Sequence, residues 1–154
     1  YRRFPLTRLC YILLSIHAVI LMVGGYYTYA KVPLFEWIRD AFHLARNHYD
    51  RLGHFAQGFF PAIFVRELLL RTSTLQRGKW LFMLCVCACL AFSASYEIME
   101  WWVAVGVGGE ASSDFLGTQG DVWDAQWDMF LAVVGATTSL LLLSRAHDRA
   151  LARL

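Results

Sequence analysis

Four stretches of this 154-residue chain are apolar over about the length, some 20 residues, that a helix needs to cross a hydrocarbon layer. They cover approximately 9–30, 52–70, 80–104 and 124–144. Inside a bilayer every backbone N–H and C=O must be bonded within the protein, and runs this long meet that demand as helices. The predicted fold is therefore all-α: a polytopic transmembrane bundle with four membrane-spanning helices in a single domain over 1–154. The second stretch, "LGHFAQGFFPAIFVRELLL", is the least apolar and carries Pro61. Proline frees a carbonyl one turn back, so this helix is expected inside the bundle, kinked unless packing satisfies that group.

Composition agrees: 58% of residues are apolar and 17% charged, against about a quarter charged in soluble domains. No acidic or basic tail points to nucleic acid, and the expected environment is the lipid bilayer. Placement of the cations orients the helices. Arg2, Arg3 and Arg8 precede the first run, Arg71, Arg77 and Lys79 separate the second from the third, and Arg145, Arg149 and Arg153 follow the fourth. The positive-inside rule makes all three segments cytoplasmic, so both termini are expected on the cytoplasmic side. Residues 31–51, of mixed charge, and 105–123, without lysine or arginine, are then outer loops. Tyr26, Tyr27, Tyr29, Trp37, Trp101, Trp102, Trp123 and Trp127 gather near the outward helix ends, where aromatic rings favour the interface, and Trp80 marks the other boundary. The chain begins at Tyr1 without an initiator methionine, so an upstream segment is expected. Residues 9–30 are too long for a signal-peptide core, lack an A-x-A cleavage pattern, and read as a retained helix.

Against this apolar background the acids stand out. Between Lys79 and Arg145 lie seven carboxylates, Glu97, Glu100, Glu110, Asp114, Asp121, Asp124 and Asp128, and no lysine or arginine. Asp50 and His54 are four apart, Glu97 and Glu100 three apart, and Asp121, Asp124 and Asp128 fall at positions zero, three and seven. Such spacings put each set on one helical face. The orientation brings all three faces to the outer level, with Gln57 and Ser93 extending two of them. An ionisable group at a helix centre costs about 2.5–3.5 kcal/mol on insertion scales, so these acids are expected to face the bundle interior. Arginines from another segment (Arg39, Arg46, Arg51), shared protons or a divalent cation would each offset them. Carboxylate-dominated ligation with one imidazole suits Mg²⁺, Mn²⁺ or a mixed-ligand Zn²⁺ or Fe²⁺ site.

Other residues take plainer readings. Cys10, Cys85, Cys87 and Cys89 form no CxxC pair and read as packing residues; the last three splay over different helix faces. His17 reads as a buried hydrogen-bonded group, His43 and His48 as outer-loop residues, and His147 as part of a charged inner tail. Snorkelling and local pairing account for Arg66 and Glu67 at the inner boundary. Gly117 and Gly120 suggest a tight loop into the fourth helix, whose first N–H groups suit an anion, with Asp121 at or near the cap.

The segments "GGYYTYAKVPL", "RNHYDRLGHFAQGFFPA", "SASYEIMEWW", "FLGTQGDVWDAQWDM" and "LLLSRAHDR" closely resemble the YjdF-type inner membrane proteins, a bacterial family of unknown function, from Gly24 to Arg149. Members of that family extend further at the N-terminus. More distantly, the order Asp-x-x-x-His, Tyr-Glu, then Asp before the last helix is similar to the VanZ-like membrane proteins, associated with glycopeptide-antibiotic resistance. By that looser likeness Asp50, His54, Glu97 and Asp121 or Asp124 fall on shared polar positions, while the basic and asparagine residues often near the last motif are absent here. The function expected from these residues is a metal-assisted membrane enzyme acting on a lipid-linked or envelope substrate at the outer leaflet. Asp50, His54, Glu97, Asp124 and Asp128 would hold the ion, Glu100 or Asp121 would take a proton from water, and Arg51 would steady an anionic substrate. The competing expectations are a transport-type protein carrying protons or cations on the same acids, and a structural or partner-binding membrane protein.

Overall fold

The computed structural model describes residues 4–107 and 119–154, and among these every regular element is helical. The helices are α1 (Arg8–Tyr26), α2 (Pro33–Ala41), α3 (Tyr49–Thr72), α4 (Lys79–Val107) and α5 (Asp124–Leu151). Arg2, Arg3, Glu110, Asp114 and Gly117, singled out in the sequence, lie outside the described residues.

Among the described residues three helices, not four, are long and apolar enough to cross a membrane: α1, α4 and α5. α3 is long enough at 24 residues but too polar, with Asp50, Arg51, His54, Arg66, Glu67 and Arg71 along it. It is nonetheless the centre of the assembly, packing on α1, α4 and most extensively α5. Its polar side chains are mostly buried against these neighbours, which is why an apolar-run criterion overrates and a hydropathy threshold excludes the same helix. Pro61 lies within α3 without ending it. The nearby Gly58 carbonyl accepts from Cys89 Sγ at 3.7 Å, so α4 supplies a donor beside the proline.

Small residues set the α3–α5 separation. A Cβ on Gly58 would collide with the Ala132 carbonyl and lie 2.8 Å from Ala132 Cα; one on Gly135 would meet the Phe55 carbonyl and lie 2.9 Å from Phe59 N. Each helix therefore presents a glycine to the other's backbone, the contact that membrane helices use where water provides no hydrophobic drive. Below it, Cys10, Leu13, Ala62, Ile63, Leu81, Cys85, Cys89, Ala136 and Leu140 form the apolar core. Ile12, Ile16, Val19 and Met22 on α1 and Leu141 and Leu142 on α5 are exposed, as lipid-facing positions should be.

The connection 31–51 is not simply a loop, because α2 forms within it. Pro33 opens it at the first turn, Glu36 sits in that turn and Arg39 in the last, each on its favourable side of the helix dipole. The run of apolar residues was too short to stand out in a search for spans.

Candidate functional site

The acids predicted to converge do so at the end of the bundle where α3 and α5 begin. α3 contributes Asp50, Arg51 and His54 from its first two turns, α4 contributes Glu97, and α5 contributes Asp124 and Asp128 one turn apart. Asp50, His54, Asp124 and Asp128 are all buried, Asp128 to 1% exposure. Helical spacing brought the right residues onto each face; what it left open, the meeting of the faces, follows from the glycine contacts two turns deeper.

His54 Nε2 lies 3.3 Å from Glu97 Oε1 and 3.7 Å from Asp50 Oδ1, so one imidazole nitrogen faces two carboxylates. Its Nδ1 faces Ser93 Oγ at 3.4 Å, and the Tyr96 ring packs edge-on at 6.1 Å. An Nδ1–H donated to Ser93 leaves the Nε2 lone pair directed at the acids. One ligand atom each from Asp50, His54 and Asp128 lies within 4.8 Å of the others. Among the described residues neither Asp128 Oδ1 nor Glu97 Oε1 has a hydrogen-bond partner, although both atoms are buried.

Two arginines serve the other side of the cluster. Arg46, buried in the turn before α3, hydrogen-bonds Asp124 and lies 3.7 Å from Asp121 and 3.8 Å from Asp50. Arg51 Nη2 donates to Asp121 at 2.7 Å and Asp124 at 3.2 Å, while its Nε stands 3.6 Å from Asp128. The Arg51 guanidinium also lies 5.7 Å from the centre of the Trp127 ring. Arg51 thus reaches across to α5 and does not pair with its sequence neighbour Asp50. Arg39 is not in the cluster; it pairs with Glu36 at 2.8 Å and Asp40 at 2.9 Å on its own helix. Arginine pairing is therefore concentrated on Asp121 and Asp124, and leaves Asp50, Glu97 and Asp128 grouped round His54.

Asp121 is not on the α5 stripe, because the helix begins only at Asp124 with Trp123 as its cap. Its Oδ1 accepts from Trp123 N at 2.9 Å, closing an Asx turn. That backbone donor, with the Arg51 guanidinium, holds the Asp121 carboxyl below its usual range. Glu100 is half-buried, within Coulombic reach of Glu97, Asp50, Asp128 and Asp124. A clamp that the sequence did not reveal closes this end: Asn47 N donates to Gln119 Oε1 at 2.9 Å, and Gln119 Nε2 donates back to the Asn47 carbonyl at 3.0 Å. It joins the segments leading into α3 and α5, and two uncharged residues so far apart carried no signal.

A second polar cluster lies 17 positions along α3, about 25 Å away at 1.5 Å per residue. Here the readings of Glu67 as a boundary residue and His147 as part of a tail are overturned, since both are 0% exposed, while Cys10 is buried as a packing residue should be and in addition donates to Glu67. Glu67 accepts from Thr7 N (3.0 Å), Thr7 Oγ1 (2.7 Å), Cys10 Sγ (3.0 Å) and Arg71 Nη1 (2.8 Å), and faces His147 Nε2 at 3.1 Å. Arg66 donates to His147 Nδ1 at 2.8 Å and to Asp148 at 2.7 Å, and Arg77 also holds Asp148 at 3.0 Å. Because arginine only donates, His147 accepts at Nδ1 and carries its proton on Nε2, toward Glu67. Cys10, Glu67 and His147 have the donor types of a metal site. With their polar atoms satisfied and two guanidiniums adjoining, they form instead a lock between the start of α1 and the ends of α3 and α5.

Among the described residues every regular element is helical and three helices are able to cross a bilayer, which with charged clusters buried at the two ends defines a polytopic membrane protein. The chain belongs to the DUF2238 family, described as a predicted membrane protein, which it matches over residues 1–149. It is 51% identical over 152 residues to the protein named inner membrane protein YjdF of Escherichia coli (strain K12), covering 99% of this chain and 72% of that relative. No solved structure matches it. The likeness to VanZ-like proteins rests on the residue pattern alone.

Proposed function

We propose that the cluster round His54 is a divalent-metal centre of a membrane enzyme acting on a lipid-linked or envelope substrate at the outer leaflet. The observation that carries this reading is the trio Asp50, His54 and Asp128, whose ligand atoms lie within 4.8 Å of one another, while buried Asp128 Oδ1 has no hydrogen-bond partner among the described residues. A cation there would accept Asp128 Oδ1 and the His54 Nε2 lone pair together, with Glu97 and Asp124 completing the carboxylate set. Two oxygen donors and one imidazole suit Mn²⁺, Zn²⁺ or Mg²⁺. Ser93 then serves as the partner that fixes the imidazole tautomer.

Asp50, His54, Glu97, Asp124 and Asp128 would hold the ion, which would supply an acidified water and a polarised bond. Glu100 would take the water proton, Arg51 would steady an anionic group, and Asp121, engaged by Arg51 and its own turn, would orient that arginine. The substrate approaches from outside by the positive-inside rule: Arg8, Arg71, Arg77, Lys79, Arg145, Arg149 and Arg153 all belong to the end opposite the cluster. α3 crosses as a fourth helix in this reading, its 24 residues spanning about 36 Å and its charged groups turned toward its neighbours.

Elemental analysis of purified protein tests the assignment, after chelator treatment, refilling with Mn²⁺, Zn²⁺ or Mg²⁺, and washing. Roughly one equivalent is expected in the parent. His54→Ala and Asp128→Asn should lose it, Ser93→Ala should bind about 10- to 100-fold more weakly, and Arg39→Ala should match the parent. No retained metal in the folded parent, and no saturable Mg²⁺ binding by titration, would sink the metal reading in favour of a proton-sharing cluster.

A further inference from the structure

Among the described residues, none covers the apolar stripe of Leu34, Trp37 and Phe42 on α2. Leu34, Trp37 and Ala41 stand at positions zero, three and seven, with Phe42 directly following, so they share one stripe. Leu34, Trp37 and Phe42 are exposed to 62%, 65% and 68%. The other side of the helix is polar and internally paired, through Glu36, Arg39 and Asp40.

The depth of this helix is set by its contacts. Phe35 packs edge-on against Tyr49 at 5.2 Å, and the Tyr49 hydroxyl donates to the Ile20 carbonyl at 2.9 Å. Ile20 is six residues before the end of α1, about 9 Å inside a span able to cross the membrane. The chain leaving α1 turns sharply at Thr28 and Tyr29, both with positive φ, and Tyr29 donates back to the Leu21 carbonyl at 3.4 Å. Thus α2 is held beside the last turns of a membrane helix. Tyr26, Trp101, Trp102, Trp123 and Trp127, near the same helix ends, are exposed too.

We propose that α2 is an in-plane membrane-binding helix whose Leu34, Trp37 and Phe42 enter the boundary between acyl chains and headgroups in the leaflet at the site end. A short helix with one apolar and one charged face binds a membrane interface in this way, with its apolar side about 5–10 Å deep. The position matters to the buried cluster because Asn47 Nδ2 donates to Glu36 Oε1 at 3.1 Å and to the Val32 carbonyl at 3.2 Å. Asn47 adjoins Arg46 and carries the clamp to Gln119, so α2 fixes the rim of the cluster at headgroup depth. This holds whether or not the cluster binds metal.

Nitroxide labels at Leu34→Cys, Trp37→Cys and Asp40→Cys, in a Cys87→Ser background, test the proposal in phosphatidylcholine vesicles. Relative accessibility to oxygen and a water-soluble nickel chelate is read by power saturation. Positions 34 and 37 are expected to show an oxygen-to-nickel ratio several-fold above position 40. Equal ratios at all three would place both faces in water and overturn it. Exclusion of both reagents at 34 and 37, with spin–spin broadening that disappears on dilution with unlabelled protein, would show a second copy covering the face and overturn it equally. Should Trp37→Cys fail to reconstitute, Phe42→Cys reads the same stripe.

Discussion

Gly58→Ala and Gly135→Ala are each expected to destabilise the bundle, and Gly135→Leu to prevent its assembly. In an ordinary helix interior, glycine to alanine favours folding by roughly 0.5–1 kcal/mol. Here each new Cβ would strike the partner helix's backbone, not a movable side chain. Overpacking of this kind costs about 1–3 kcal/mol and more where backbone must separate. Separation would also move α3 from α5 and so pull Asp50, Arg51 and His54 away from Asp124 and Asp128. Thermal unfolding of purified protein in detergent, followed by size-exclusion recovery, measures the effect. Gly25→Ala is the matched control, because its Cβ meets nothing within 4 Å. Equal behaviour of Gly25→Ala and Gly58→Ala would show that the α3–α5 contact does not determine stability.

Removing the carboxylate of Glu67 should be comparably severe. Glu67→Ala leaves the buried Thr7, Cys10 and His147 donors without their carboxylate acceptor and removes the anion paired with Arg71, a loss of about 3–5 kcal/mol by analogy with broken buried ion pairs. Glu67→Gln keeps the shape but turns an amide NH₂ toward groups that already donate, so it should fall between parent and alanine variant. Arg39→Ala, which breaks only solvent-accessible pairs within α2, should cost far less than either. Denaturant titration of the reconstituted protein ranks the three. A Glu67→Ala variant as stable as Arg39→Ala would mean that the lock contributes no stability. The metal analysis and this ranking are independent, since the two clusters lie at opposite ends of α3.

Much of the architecture was legible before any coordinates. Apolar runs of sufficient length must become helices in lipid, a local rule that needs no partner, so α1, α4 and α5 appear close to their expected positions. The polar stripes were legible for the same reason: helical periodicity puts His54 on the face of Asp50, and Asp128 on that of Asp124. The reading faltered where polarity and length disagreed, in α3, and where an amphipathic turn was too short to register, in α2. It also treated Glu67 and His147 as boundary residues, although they meet across 80 positions in a fully buried contact.

Hydropathy and periodicity are properties of neighbours along the chain, and by themselves they determined the helical class, the apolar spans and which acids share a face. Pairing between faces is a property of space. Only the packing of α3 on α4 decided that His54 finds Ser93 across 39 residues, and only that of α3 on α5 decided that Arg51 binds Asp121, 70 residues away, rather than Asp50 beside it. Glycines bringing two backbones into contact made that decision, because the separation they permit is the one at which those side chains reach each other.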